Sequence, residues 1–141
     1  MKMIVKVHEL LKFRDTTQMN EDDIPQIESS DDLESVEEAL LDEATKRKLI
    51  SNIKRFGGST YVDMVNITLN RLMTVQFQSG LNLCGRFGKI AFGETNLFKT
   101  IKTAVSEVFK DSDEKQIRLA IGDHIKGAPD KKGGSGRQKK N

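Results

Sequence analysis

Between Ser30 and Lys126 the apolar residues recur mostly at three- and four-residue steps, the spacing of amphipathic helices. Leu33, Val36 and Leu40 follow Ser30, a good N-cap, and Asp31 and Asp32 suit the positive end of a helix dipole, so the pattern predicts a helix over 31–41. Asp42 is placed to cap a second helix with the stripe Leu49, Ile50, Ile53 and Phe56. Lys46, Arg47, Lys48, Lys54 and Arg55 stay mostly outside that stripe, and Gly57-Gly58 ends the helix. Ser59 is placed to cap a third, in which Val62, Val65, Leu69, Leu72 and Met73 carry the repeat to about Gln78. A fourth, capped by Thr95 or Asn96, has the broadest apolar face: Leu97, Phe98, Ile101, Ala104, Val105, Val108 and Phe109. Ser112, followed by Asp113 and Glu114, opens a last helix with Ile117, Ile121, His124 and Ile125 on one side, ending near Lys126.

The periodicity fails from Gly80 to Lys89, where Gly80, Gly85 and Gly88 fall within nine residues, and this stretch reads as a loop. It fails again at the ends. Residues 1–29 form an acidic, weakly structured lead, with room for a short strand or helix over Ile4 to Phe13. Residues 127–141 lack an apolar anchor and read as a disordered basic tail. The expected architecture is all-α: a small bundle of about five helices over 30–126, with a glycine-rich central loop and disordered termini.

Composition agrees with one such domain. A chain of 141 residues supports a single core, and with 36% hydrophobic residues, no Trp and one Tyr, part of the chain is expected to lie outside it. Cys84 is the only cysteine, which forbids an internal disulfide, and the histidines, His8 and His124, have no metal-ligand spacing. No cofactor or metal is expected. Apolar runs such as Met3-Ile4-Val5 are far shorter than the roughly 20 residues of a membrane span. Lys2, Lys6, His8, Glu9 and Lys12 interrupt any signal-peptide core, so an intracellular location is expected.

The charges are segregated. From Asp15 to Glu43 there are twelve acidic residues and no Lys or Arg, whereas from Ala44 onward nineteen Lys and Arg face eight Asp and Glu. Both blocks suit solvated surface, but a basic domain behind an acidic lead also attracts polyanions.

Three readings fit the glycine loop unequally. Gly80 and Gly85 have P-loop spacing, but Arg86 and Phe87 stand where Lys and Ser or Thr are needed, which excludes that reading. Gly85-Arg86-Phe87-Gly88 has the form of an RNA-clamping G-x-x-G loop, though the flanking periodicity is helical and Phe87 is the sole stacking platform. The alternative is a turn whose glycines only supply positive φ, which asks nothing of the flanking segments. In the last helix Lys115, Arg118 and Lys126 share one face with Gly122, whose missing side chain would admit another backbone or a phosphate; a solvated face is the alternative. His124 reads as a core or edge histidine, because no Ser, Cys or carboxylate is placed to work with it. Cys84 beside Arg86 reads as an ordinary small residue, and Met64 and Met73 as core filler. No constellation points to catalysis.

The run from Leu33 to Lys131 resembles the arthropod-rich family called domain of unknown function 4806. The resemblance rests on Lys48-Leu49-Ile50 leading into Phe56-Gly57-Gly58-Ser59, on Asn82, Gly85, Gly88-Lys89, Ala91 and Phe92, and on Leu97-Phe98 and Ala104-Val105. It closes on Ile121, Ile125, Ala128, Asp130 and Lys131. Leu83 and His124 stand where that pattern usually has aromatics. The arrangement is in turn similar to the BEN domain, an all-helical module that binds DNA and chromatin partners. That similarity implies phosphate or base contacts for Lys115, Arg118, Lys126, Lys131 and Lys132, and backbone contacts for Arg86 and Lys89. It also implies a nuclear, non-catalytic DNA-binding module. The alternative expectation is a protein-interaction or self-associating module, a homodimer included, that does not touch DNA; single-stranded RNA binding through Gly85 to Gly88 is the weaker one. Neither a membrane nor a small-molecule substrate is expected.

Overall fold

The computed structural model describes residues 26–130; the possible element over Ile4 to Phe13 and the part of the basic tail from Lys131 on, Lys132 included, lie outside them. The described chain is a mostly helical bundle, as the periodicity predicts. Its helices are α1 (Ser30–Ala39), α2 (Glu43–Phe56), α3 (Tyr61–Leu72), α4 (Val75–Gln78), α5 (Asn96–Val108) and α6 (Glu114–Lys126). Helix α5 is central: α2 lies along it, α1, α3 and α6 also touch it, and α3 packs on α6. Leu49, Ile50, Ile53, Met64, Leu69, Ile101, Val105 and Ile121 meet in this core, and Phe92 sets its ring edge-on against Phe98 at 5.9 Å. Burying each such aliphatic side chain contributes about 1.5–3 kcal/mol, so the interlocked stripes dominate the stability.

The helix starts are chemically conventional. Ser29 caps α1 and Asp42 caps α2; in α6 Asp113 and Gln116 form a reciprocal capping box. Thr60 caps α3, one residue later than Ser59, whose N–H and hydroxyl instead bond the Asp63 carboxylate. Helix α5 has two caps. Thr95 receives the Phe98 N–H, and the Glu37 carboxylate reaches across from α1 to accept the N–H groups of Asn96 and Leu97, each at 2.8 Å. A carboxylate at that position also meets the positive end of the helix dipole.

The predicted third helix is two. It stops at Leu72, Met73 is extended, and the chain restarts as the four-residue α4. The cause is Ile27, which donates its N–H to the Leu72 carbonyl at 2.8 Å and accepts the Thr74 N–H at 3.1 Å, an isolated parallel bridge at Met73. Ile27 is buried, and so is Ala128 in the 3-10 turn Ala128–Asp130 that packs under α4, so the core reaches past both ends of the expected 30–126 domain. Two residues expected in apolar stripes face outward: Val108 and Val62 are 40% and 41% exposed. Among the described residues no helix is long and apolar enough to cross a membrane.

Helices α2 and α5 are also clamped electrostatically, because Lys54 and Arg47 bond the two oxygens of Glu107 at 3.0 and 3.2 Å. These bonds, led by that from Lys54, hold the Glu107 carboxyl below its ordinary pKa of 4.5. A depressed carboxylate contributes stability that is complete above the unfolded-state value and lost as pH falls through the folded one. Glu107→Gln is therefore expected to flatten the decline in urea-unfolding free energy below about pH 4.5, by less than about 1 kcal/mol because the partners are exposed. Glu37→Ala removes two charge-assisted bonds and is expected to cost about 1.5–3 kcal/mol in urea unfolding at neutral pH.

Candidate nucleic-acid interface

The predicted glycine loop is ordered by a small amount of structure. Strand β1 (Leu81–Asn82) pairs in parallel with β2 (Ile90–Ala91), in the register Leu81 to Ile90 and Asn82 to Ala91. Parallel neighbours usually need a crossover of a dozen or more residues, and here residues 83–89 complete the circuit. Such a tight path needs left-handed backbone. Gly85, Phe87 and Gly88 supply it, with φ of 83°, 60° and 72°. The Asn82 side chain fills the ring: its Oδ1 accepts the N–H groups of Gly85 and Arg86, and its Nδ2 donates to the Arg86 carbonyl at 3.0 Å. The Lys89 N–H returns to the Arg86 carbonyl at 3.1 Å, so Phe87 and Gly88 are the central pair of a turn with positive φ at both positions, as in type I′. A bulky side chain there is a true outlier, costing on the order of 1–3 kcal/mol. The Phe87 ring is nevertheless 91% exposed.

Leu83 fastens the loop to α6. A Cβ on Gly122 would lie 3.0 Å from Leu83 Cδ1, and one on Gly93 would lie 2.7 Å from the Leu83 carbonyl oxygen, which accepts the Gly93 N–H at 3.2 Å. Gly122 therefore makes room for a leucine of the same chain, and not for a phosphate or a foreign backbone as the sequence suggested. The consequence for the site is favourable. The loop that carries Arg86 and Lys89 is held against the face of α6 on which Arg118 and Gly122 lie.

Each predicted contact residue within the described chain can be placed. Lys115, Arg118 and Lys126 are exposed on α6 and span about 16 Å along its axis at 1.5 Å per residue. Arg118 lies with its guanidinium 5.5 Å from the Phe98 ring centre, and Glu114 beside it bonds Lys102. The Lys102 bond, with a smaller contribution from Arg118, holds the Glu114 carboxyl below its usual range. Arg86 is exposed and Lys89 half-buried. Among the described residues no carboxylate pairs with Arg86, Lys89 or Lys115. Lys48 and Arg55, outside the apolar stripe as the spacing predicts, are exposed on α2 and form a second basic face.

The other side of α6 faces α3 across an open groove of about 700 Å³, lined among others by Val62, Asn66, Leu119, Asp123 and His124. His124 is buried and occupied. Gln78 Nε2 donates to the Met73 carbonyl at 3.0 Å and to Asn70 Oδ1 at 3.1 Å, which turns that oxygen toward His124 and makes His124 Nε2 the donor to it at 3.1 Å. His124 Nδ1 meets the Asn66 carboxamide at 2.8 Å. The imidazole thus joins α6 to α3, the edge-of-core role expected of it. Among the described residues no group of three or more His, Cys, Asp and Glu side chains is placed to hold a metal ion.

No protein-family model, curated protein or solved structure matches the chain.

Asn82 and Leu83, which carry no charge, are the residues that position the loop, and an Asn three residues before Gly85 is the local sign of such a side-chain-closed turn. Asn82→Ala is expected to speed amide hydrogen exchange at Gly85 and Arg86 at least tenfold while lowering global stability by only about 1 kcal/mol. Uniform exchange across the domain would show that the loop does not depend on Asn82.

Proposed function

We propose that this domain binds nucleic acid, duplex DNA in the first place, and acts by binding and not by catalysis. The observation that carries the reading is the seating of Leu83 over Gly122. It fastens the base of the loop that carries Arg86 and Lys89 to the side of α6 on which Lys115, Arg118 and Lys126 lie. A helix face and a loop on which Arg86, Lys89 and Lys115 pair with no carboxylate among the described residues suit the phosphate backbone, which supplies most of the affinity of such modules. The loop motif's resemblance to domain of unknown function 4806, and beyond it to the BEN domain, points the same way and to a nuclear, chromatin-associated setting. Lys131 and Lys132 extend the proposed basic surface in sequence.

The test is fluorescence anisotropy of a labelled random-sequence duplex against the full chain at roughly 50 and 200 mM salt. Binding is expected to weaken steeply with salt. Replacing Lys115, Arg118 and Lys126 together by Gln is expected to lower the slope of log affinity against log salt by about 2–3 without unfolding the domain. A second reading is favoured by the α3–α6 groove, whose rim exposes Leu119 (58%) and Val62 (41%): a surface for a second copy or another protein. Absence of DNA binding, with a concentration-dependent dimer that Leu119→Lys disperses, would replace the first reading by the second.

A further inference from the structure

Phe87 combines three properties that are unusual together. Its ring is 91% exposed and lies outside the hydrophobic core, its backbone sits at φ 60° and ψ 34°, and Arg86 and Lys89 belong to the same four-residue turn. An isolated exposed apolar side chain is ordinary, but one held out by strained backbone is not. Asn82, Gly85 and Gly88 fix that backbone, so little of the turn's freedom remains to be lost on binding.

We infer that Phe87 is a stacking wedge, and that the preferred target of the nucleic-acid surface proposed above is duplex DNA with an unpaired or easily unstacked step. The inference rests on that reading and deepens it. With Arg86 and Lys89 on the phosphates, the ring enters the gap between neighbouring bases and exchanges its water for their π-faces, as Phe wedges do at kinked steps. The described tip carries one ring. A surface that tracks single strands needs successive platforms, whereas a single defect in a duplex needs one. A lipid surface fits less well, because Arg86, Gly88 and Lys89 surround the ring and bring no further apolar area.

The experiment compares the full chain and its variants on four probes: a fully paired duplex, the same duplex with a one-nucleotide bulge, one of its single strands, and phosphatidylserine vesicles. The parent chain is expected to favour the bulged over the paired duplex by roughly 5- to 100-fold, the range of one base–aromatic stack. Phe87→Leu is expected to bring that ratio close to one with the salt slope unchanged. Phe87→Trp is expected to keep the ratio and to have its emission quenched on the bulged duplex. Phe87→Asn, a residue that accepts positive φ, is expected to raise the melting temperature while abolishing the preference; a fall in melting temperature would make the ring structural and overturn the inference. Binding without preference, or a preference that Phe87→Leu retains, would overturn the wedge and leave DNA binding standing. Tryptophan emission that shifts with vesicles and not with DNA would reassign the tip to lipid. No DNA binding at either salt concentration would end both.

Discussion

The bond from Glu37 to the first two N–H groups of α5 is the point on which the bundle turns. Helix α5 is the element that the other long helices share, and its N-terminus would otherwise enter a crowded region with unsatisfied donors. Glu37 comes from the acidic half of the sequence and α5 from the basic half. Part of what the sequence shows as charge segregation is therefore spent on fixing local geometry. Asp32 accepts the Glu28 N–H, Asp42 caps α2, and Glu37 caps α5. Acidic residues used this way are held by the fold and are not free to lie over the basic half as a polyanion mimic.

The elements whose causes are local were readable from the chain. Asp42 and Gly57 bracket α2, Ser112 with Asp113 and Glu114 marks the start of α6 one residue ahead of its Asp113 cap, and the buried stripes Leu49-Ile50-Ile53 and Ile117-Ile121-Ile125 follow from spacing alone. What escaped has a distant cause. The break at Met73 is made by Ile27, far back in the chain, and the residues after it continue the helical spacing, so no local signal marks it. The parallel closure of the loop pairs Leu81 with Ile90 across seven residues of turn, a contact that periodicity does not report. Val62 and Val108 follow the helical repeat at the margin of their stripes, and only the packing shows that nothing covers them.

The same division holds for the candidate interface. That Lys115, Arg118 and Lys126 share a face follows from 100° per residue; that the glycine loop stands beside them does not. Gly122 shows this most directly. Its missing side chain was legible, and so was its place among the cations, but the group that takes up the space is Leu83 from the same chain. The space is used to hold the loop in place. Rigidity beside the proposed basic surface is thereby gained from packing within the chain.

The parallel pair at the loop's base has one more consequence. Leu81 and Asn82 meet Ile90 and Ala91 in a single register, and adjacent residues of a strand point to opposite sides. Adding or removing one residue between Asn82 and Ile90 would either slip that register, exchanging buried Leu81 for half-buried Asn82 on the inner side, or force a bulge into a circuit that already uses three left-handed residues. Substitutions that respect those three dihedral angles leave the circuit closed. In chains that share this arrangement, the count of residues from Asn82 to Ile90 should drift more slowly than their identity, and an alignment gap inside the ring would mark a different loop.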